Sequence, residues 1–227
     1  MAVGQREKTK MRIASLAMLC LVLMLPASAQ VLYDDGPING TTDAWTINFG
    51  YVVGNTFTLS ANSTVGGFNF GVWEFPGDIM ASVDWSITSQ YDGGTVYGSG
   101  TANGKNLTDQ FISLNQYGYN IDKITVSNLN VPLSSGTTYW LNLQNASVAS
   151  GDPVYWDENE GVGCTGNDGH GGGCPSMASN GGIGTIPAES FDINGTGGGG
   201  TTPEPGSILL FGSGILGLAG ILRREPL

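Results

Sequence analysis

Apolar and polar residues alternate in run after run between positions 31 and 193. AWTINFGY places Trp45, Ile47, Phe49 and Tyr51 on one side. TFTLS gives Phe57 and Leu59, GFNFGVW gives Phe68, Phe70 and Val72, and SVDWSITS gives Val83, Trp85 and Ile87. KITVS adds Ile124 and Val126, and YWLNLQN adds Tyr139, Leu141 and Leu143. A period of two bounded by turn residues predicts half-buried strands. The turns are supplied by GPING (36–40), YDGG (91–94), ANGK (102–105) and LSSGT (133–137), whose Gly, Asn and Asp tolerate the backbone angles that turns require. No stretch of the body has a helical period, and no internal repeat is present. About eight to ten strands predict an all-β domain, an antiparallel β-sandwich of jelly-roll type.

The two ends break this pattern. Residues 1–12 carry four cations and one anion, residues 13–25 are apolar except Ser15, and Ala27 and Ala29 occupy the small positions of an A-x-A cleavage site. These three regions predict a secretory signal peptide over residues 1–29. Its thirteen-residue apolar run is short of the ~20 residues of a membrane span. At the other end Pro203-Glu204-Pro205 precedes an apolar or small run at 206–222, closed by Arg223 and Arg224. As a helix that run reaches about 26 Å, close to a ~30 Å hydrocarbon core. It predicts a C-terminal membrane helix with both arginines on the cytoplasmic side. The signal peptide keeps its cations on that same side, so both ends predict a body outside the membrane.

The Pro-Glu-Pro motif, the short Gly-containing apolar segment and the terminal basic pair together resemble the PEP-CTERM sorting signal of Gram-negative bacteria. Tails of this kind are also labelled after ice-binding proteins that carry one. The resemblance implies that an integral-membrane cysteine transpeptidase, exosortase, recognises Pro203, Glu204 and Pro205 and processes the tail. It implies an exported protein sorted to the envelope, the outer surface or the extracellular matrix, anchored transiently in the inner membrane. The two prolines lack backbone N–H groups and favour extended chain, a form that a processing enzyme grips. NGTGGGGTT (194–202) reads as a flexible linker. The expected organisation is therefore signal peptide 1–29, sandwich 30–193, linker 194–202 and sorting tail 203–227.

Composition sharpens the picture of the body. Only Lys105 and Lys123 lie between residues 31 and 202, against sixteen acids, giving a body charge of about −14. Nucleic-acid binding is driven by Lys and Arg, so this class is excluded. Glycine is abundant, at 37 of 227 residues, as expected for short strands joined by tight turns.

Candidate chemistry is sparse, and no cofactor is implied. Cys164 and Cys174 are the only cysteines left after removal of the signal peptide, and in an exported protein two nearby cysteines point to a disulfide. A metal site on Cys164, His170 and Cys174 is the alternative, although its spacing matches no common zinc pattern. YWDENEG (155–161) gathers Asp157, Glu158 and Glu160. Hard oxygen ligands suit Ca²⁺, yet the spacing is not that of an EF-hand, and a solvated acidic loop is the preferred reading. Tyr117, Tyr119 and Trp156 lie in loop-like settings and are candidates for stacking on sugar rings. No nucleophile elbow, P-loop or Ser-His-Asp order is visible. The sequence thus predicts a non-catalytic surface or matrix protein. A carbohydrate-binding module for cell-surface polysaccharide, or a secreted hydrolase with two facing carboxylates, are the alternatives.

Overall fold

The computed structural model describes residues 30–159 and 178–197. The expected signal peptide with Ala27 and Ala29, the membrane helix, the sorting motif, Arg223 and Arg224, Glu160, and the Cys164–Cys174 loop with His170 all lie outside the described residues.

The described chain is all β, apart from one 3₁₀ turn at Gly104–Asn106. Its strands are β1 (Gln30–Asp34), β2 (Ala44–Thr46), β3 (Val52–Thr58), β4 (Ser63–Glu74), β5 (Met80–Gln90), β6 (Gly93–Asn103), β7 (Leu107–Leu114), β8 (Asn120–Val126), β9 (Val131–Leu133), β10 (Thr138–Val148), β11 (Tyr155–Asp157), β12 (Ala178–Asn180), β13 (Gly184–Ile186) and β14 (Phe191–Gly197). They form two antiparallel sheets. One has the order β13-β12-β3-β10-β5-β6, and the other is built around β4. On one flank of β4 lie β14 and then β11, with β1 and β2 outside them. On its other flank lie β9 and then β8, with β7 outside β8.

The inner faces follow the alternation read from the sequence. Phe57, Leu59, Phe68, Phe70, Val72, Val83, Trp85, Ile87, Ile124, Val126, Tyr139, Leu141 and Leu143 are all buried. Inward side chains from two facing sheets interdigitate to make such a core, and burial of this apolar area is the main stabilising term. Phe70, Trp156 and Phe191 meet edge to face, at 6.0 and 5.8 Å between ring centres, an arrangement aromatic quadrupoles favour.

Three expectations are corrected. AWTINFGY is not one strand: β2 ends at Thr46, and Phe49 and Gly50 turn the chain with φ of 55° and 85°. Phe49 and Tyr51 are consequently exposed while Ile47 stays in the core. The segment YWD is a strand, β11, paired with β4 and β2. The sandwich also continues past residue 193, because Asn194, Gly195, Thr196 and Gly197 pair with Gly67, Val65, Thr64 and Ser63 of β4. Gly195 is required there: a Cβ at this position would stand 2.1 Å from the Thr64 carbonyl oxygen. The first four residues of what composition marks as linker, 194–197, are thus strand, with Gly195 permitting a close crossing.

Candidate functional site

An aromatic cluster of Trp73, Phe75, Tyr117, Tyr119 and Tyr155 stands on the outer face of the β4 sheet, at the end of the sandwich where β4 finishes. Alternation turns Val72 and Glu74 inward and Trp73 outward. The tip of the β7–β8 hairpin, NQYGYN (115–120), folds over Trp73. Its shape is set by Asn115, whose side-chain oxygen accepts hydrogen bonds from the backbone N–H groups of Tyr117 and Tyr119, both at 3.0 Å. Gly118 supplies the positive φ, 87°, that closes the tip. Tyr117 stacks on Trp73 at 5.6 Å and 26°. Tyr119 packs against Trp73, Phe75 and Tyr155 at 5.8, 5.0 and 5.8 Å in tilted or edge geometry. Trp73 is only 6% exposed, whereas Tyr117 is 58% and Phe75 38% exposed. The cluster therefore offers solvent one backed ring face, that of Tyr117, flanked by aromatic edges.

Trp73 is fixed from behind. Its Nε1 donates to Asp157 Oδ1 at 2.6 Å. Asp157 also accepts from Asn39 N at 3.0 Å, Gly40 N at 3.1 Å and Ser190 Oγ at 3.1 Å. Burial raises the pKa of this carboxyl, and the four donors oppose that rise. The arrangement needs Gly71, since a Cβ there would stand 2.6 Å from Ile38 Cγ2, 2.6 Å from Ser190 Oγ and 3.0 Å from Asp157 Cβ.

The structure thus brings two of the sugar-stacking candidates, Tyr117 and Tyr119, into one cluster and removes the third. Trp156 is 0% exposed. It points into the core from β11, and its Nε1 donates to Ser190 O at 3.0 Å, so it has no free face. The Ca²⁺ candidates are corrected too. Asp157 and Glu158 are buried, so they form no solvated loop. Asp157 spends its acceptor sites on four donors, which leaves little for a cation. Glu158 accepts from Trp45 Nε1 at 3.2 Å. Glu160, the third candidate, lies outside the described residues. Trp73 and Phe75 carry much of the cluster without a distinctive sequence signal; alternation alone put Trp73 opposite Val72.

Two buried carboxylate nests accompany these features. In the first, Glu74 (β4), Asp109 (β7) and Asp122 (β8) lie beneath the aromatic end, with Asp78 in the β4–β5 turn. Glu74 is 0% exposed, no N–H or hydroxyl group donates to it, and its carboxyl hydrogen-bonds to that of Asp109. Its pKa is raised to about 8, first by burial and then by Asp109, Asp122 and Asp78. Burial and Asp109 raise Asp122 to about 6, and burial raises Asp109, against hydrogen bonds from Met80 N and from the Glu74 carboxyl. In the second nest, fully buried Glu189 is raised well above the usual carboxyl range by burial and by Glu158, Asp157, Asp35 and Asp43. Among the described residues no group of three or more acidic, His or Cys side chains stands at metal-ligand spacing. An open depression of about 520 Å³ lies at the opposite end of the molecule, lined by Asn62, Thr64, Leu133 and Gly197 among others and by no carboxylate.

Comparison with known families places the PEP-CTERM protein-sorting motif at residues 201–224. No curated protein matches the chain. The chain carries that motif, and the motif implies export, sorting to the cell envelope and processing by an exosortase.

Proposed function

We propose that this is a non-catalytic surface or extracellular-matrix protein whose sandwich is carried by its C-terminal end and presents the aromatic cluster at its other end. The observation behind this reading is the placement of the two along β4. Gly197, which leads to the sorting motif, pairs with Ser63 at the start of that strand. The aromatic cluster stands at its finish, around Trp73. Ten residue steps of strand from Ser63 to Trp73 separate the two by about 33 Å at ~3.3 Å per residue. A body attached at Gly197 therefore directs Tyr117 away from its point of attachment. The hydrolase alternative is less well supported, because Glu74 and Asp122, two carboxyls of raised pKa that could serve as an acid–base pair, are buried inside the sandwich.

Fractionation of the host tests the reading. The protein is expected in the surface or matrix fraction, and replacing Pro203, Glu204 and Pro205 together by alanine should leave it in the inner membrane. Equal distribution of the two forms would refute sorting through the motif. Carbohydrate binding is a second reading, favoured by the exposed ring of Tyr117 on its Trp73 backing. A stacked aromatic contact contributes roughly 0.5–1.5 kcal/mol. Tyr117→Ala should accordingly weaken retention on the host's own exopolysaccharide by about threefold to tenfold. Unchanged retention would remove this reading and leave the first intact.

A further inference from the structure

Two further exposed rings stand at the aromatic end of the sandwich, and folding does not account for them. Strands β3 and β4 are joined by residues 59–62 alone, so the start of β3 lies at the end where β4 finishes. The turn into β3 carries Phe49, 63% exposed, and Tyr51, also exposed. Phe49 has a φ of 55°, a left-handed conformation that a bulky side chain rarely takes. Glycine adopts it freely, and the Phe49 ring faces water, so neither backbone nor core gains from phenylalanine there. The surroundings enforce the turn. Tyr51 N donates to Asn48 O at 3.1 Å, and buried Asn48 donates from Nδ2 to Asp152 O at 3.0 Å. Backbone strain held in this way concentrates at functional positions. Tyr51 is backed much as Tyr117 is. Its ring rests on the β12–β13 turn, where a Cβ on Gly182 would stand 3.3 Å from Cε1, and Gly182 N is fixed by Asn180 Oδ1 at 2.8 Å.

These rings continue the cluster around Tyr117. Tyr119 meets Tyr155 edge to face, Tyr155 pairs with both Trp73 and Thr46, and the turn begins two residues beyond Thr46. Two strand spacings, about 10 Å, already separate Trp73 from Thr46, so one sugar ring on Tyr117 does not reach Tyr51. The surface between them is free of cations. Lys105 and Lys123 are the only lysines of the body. Lys123 favours ionised Asp192, and Lys105 lies on the 3₁₀ turn beside Ser127, past the end of β8 remote from Tyr119. Burial, Tyr119 and Asp152 together raise the pKa of Tyr155, which places an acid beside the rings. An acidic sugar chain would meet like charge here with nothing to offset it, whereas stacking on a ring needs no charge. We propose that Phe49 and Tyr51 form a second stacking platform, so that this end of the sandwich binds an uncharged polysaccharide chain at two points, Tyr117 and the Phe49–Tyr51 turn. The second platform rests on the carbohydrate reading of Tyr117 and adds to it a further contact and the class of chain. Two contacts on one chain hold it more tightly than either alone.

Retention of the full chain, in detergent, on the host's own exopolysaccharide tests the site, once an anion exchanger has split that material into uncharged and acidic fractions. The uncharged fraction should retain the chain and the acidic fraction should not. Tyr51→Ala and Phe49→Gly should each weaken retention by about threefold to tenfold. Tyr51→Phe keeps the ring and should keep retention. Val96→Ala, at an exposed position on β6, should also leave it unchanged. Tyr51→Ala combined with Tyr117→Ala should lose about the product, roughly tenfold to a hundredfold. Phe49→Gly should melt no lower than the unmodified chain, since glycine relieves the left-handed backbone; a lower melting temperature would return Phe49 to a packing role and remove it from the platform. Weakening by Tyr117→Ala alone, with Tyr51→Ala and Phe49→Gly unchanged, would overturn the second platform and leave the first. Retention by the acidic fraction only would overturn the uncharged class of chain. Retention by neither fraction would remove the carbohydrate reading itself, and the second platform with it.

Discussion

At the scale of single residues, the polar atoms inside this sandwich differ sharply in what they are offered. Asp157 receives four donors and locks Trp73. Removing it would orphan those donors in a buried place, so Asp157→Ala should cost about 3–5 kcal/mol in denaturant unfolding. Near-ultraviolet circular dichroism should lose the Trp73–Tyr117 signature in the same variant. Glu74 receives no N–H or hydroxyl donor and shares a hydrogen bond only with the Asp109 carboxyl, and burial among acids raises its pKa to about 8 from an ordinary 4.5. Between those values the folded chain holds a proton that the unfolded chain has released. The contribution is therefore fully present below pH 4.5 and is lost as pH rises through about 8. Asp122 acts in the same sense up to about 6, from an ordinary 3.8. The melting temperature should fall between pH 5 and pH 8.5, and Glu74→Gln should flatten part of that slope. An unchanged slope in Glu74→Gln would assign the dependence to other groups. None of this was legible in the sequence. A carboxylate that caps a core and one that faces water have the same letter, and only the register of β4, β7 and β8 puts three acids on one inward face.

At the scale of elements, legibility depended on whether a strand's partners impose the period that its sequence carries. The runs at 68–72, 83–87 and 139–143 were readable because one face meets the opposite sheet and the other does not. The segment around Tyr155–Asp157 was not, because three residues are too few for a period and its acids suggested solvent. Tyr117 and Tyr119 were readable as loop aromatics, since Asn and Gly frame them; Trp156 looked similar but sits on a strand. The edge strand β7 carries a further consequence. Among the described residues it pairs only with β8, and it exposes Phe111, Ile112 and Leu114, with neither lysine nor proline along its length. Edges of that kind recruit other strands unless charge guards them. Ile112→Lys should reduce light scattering of concentrated solutions while changing stability by no more than about 0.5 kcal/mol. Undiminished scattering would show that the edge is covered in the whole chain.

At the scale of the whole molecule, both ends of the described body meet at one end of the sandwich: Gln30 pairs with Gly195, and Gly197 with Ser63. The membrane-directed segments of the sequence therefore join the body on the side away from Tyr117. This geometry separates processing from folding, provided that cleavage falls beyond β14. Removing everything after Pro205 leaves every described strand pair intact, so the melting temperature should equal that of the full chain in detergent. A chain stopped after Ile193 would instead lose the pairing of residues 194–197 with β4 and with Gln30 and Val31 of β1. At roughly 1 kcal/mol per hydrogen bond, that truncation should destabilise the body by about 3 kcal/mol or more. Intact mass of the protein from the surface fraction, measured beside the melting curves, checks both halves. A mass lacking residues 1–29 and those beyond Pro205, with unchanged melting, fits a body released whole from its sorting tail. A surface form that retains 206–227 would make the tail a permanent anchor, and a form ending before Gly197 would place cleavage inside the fold.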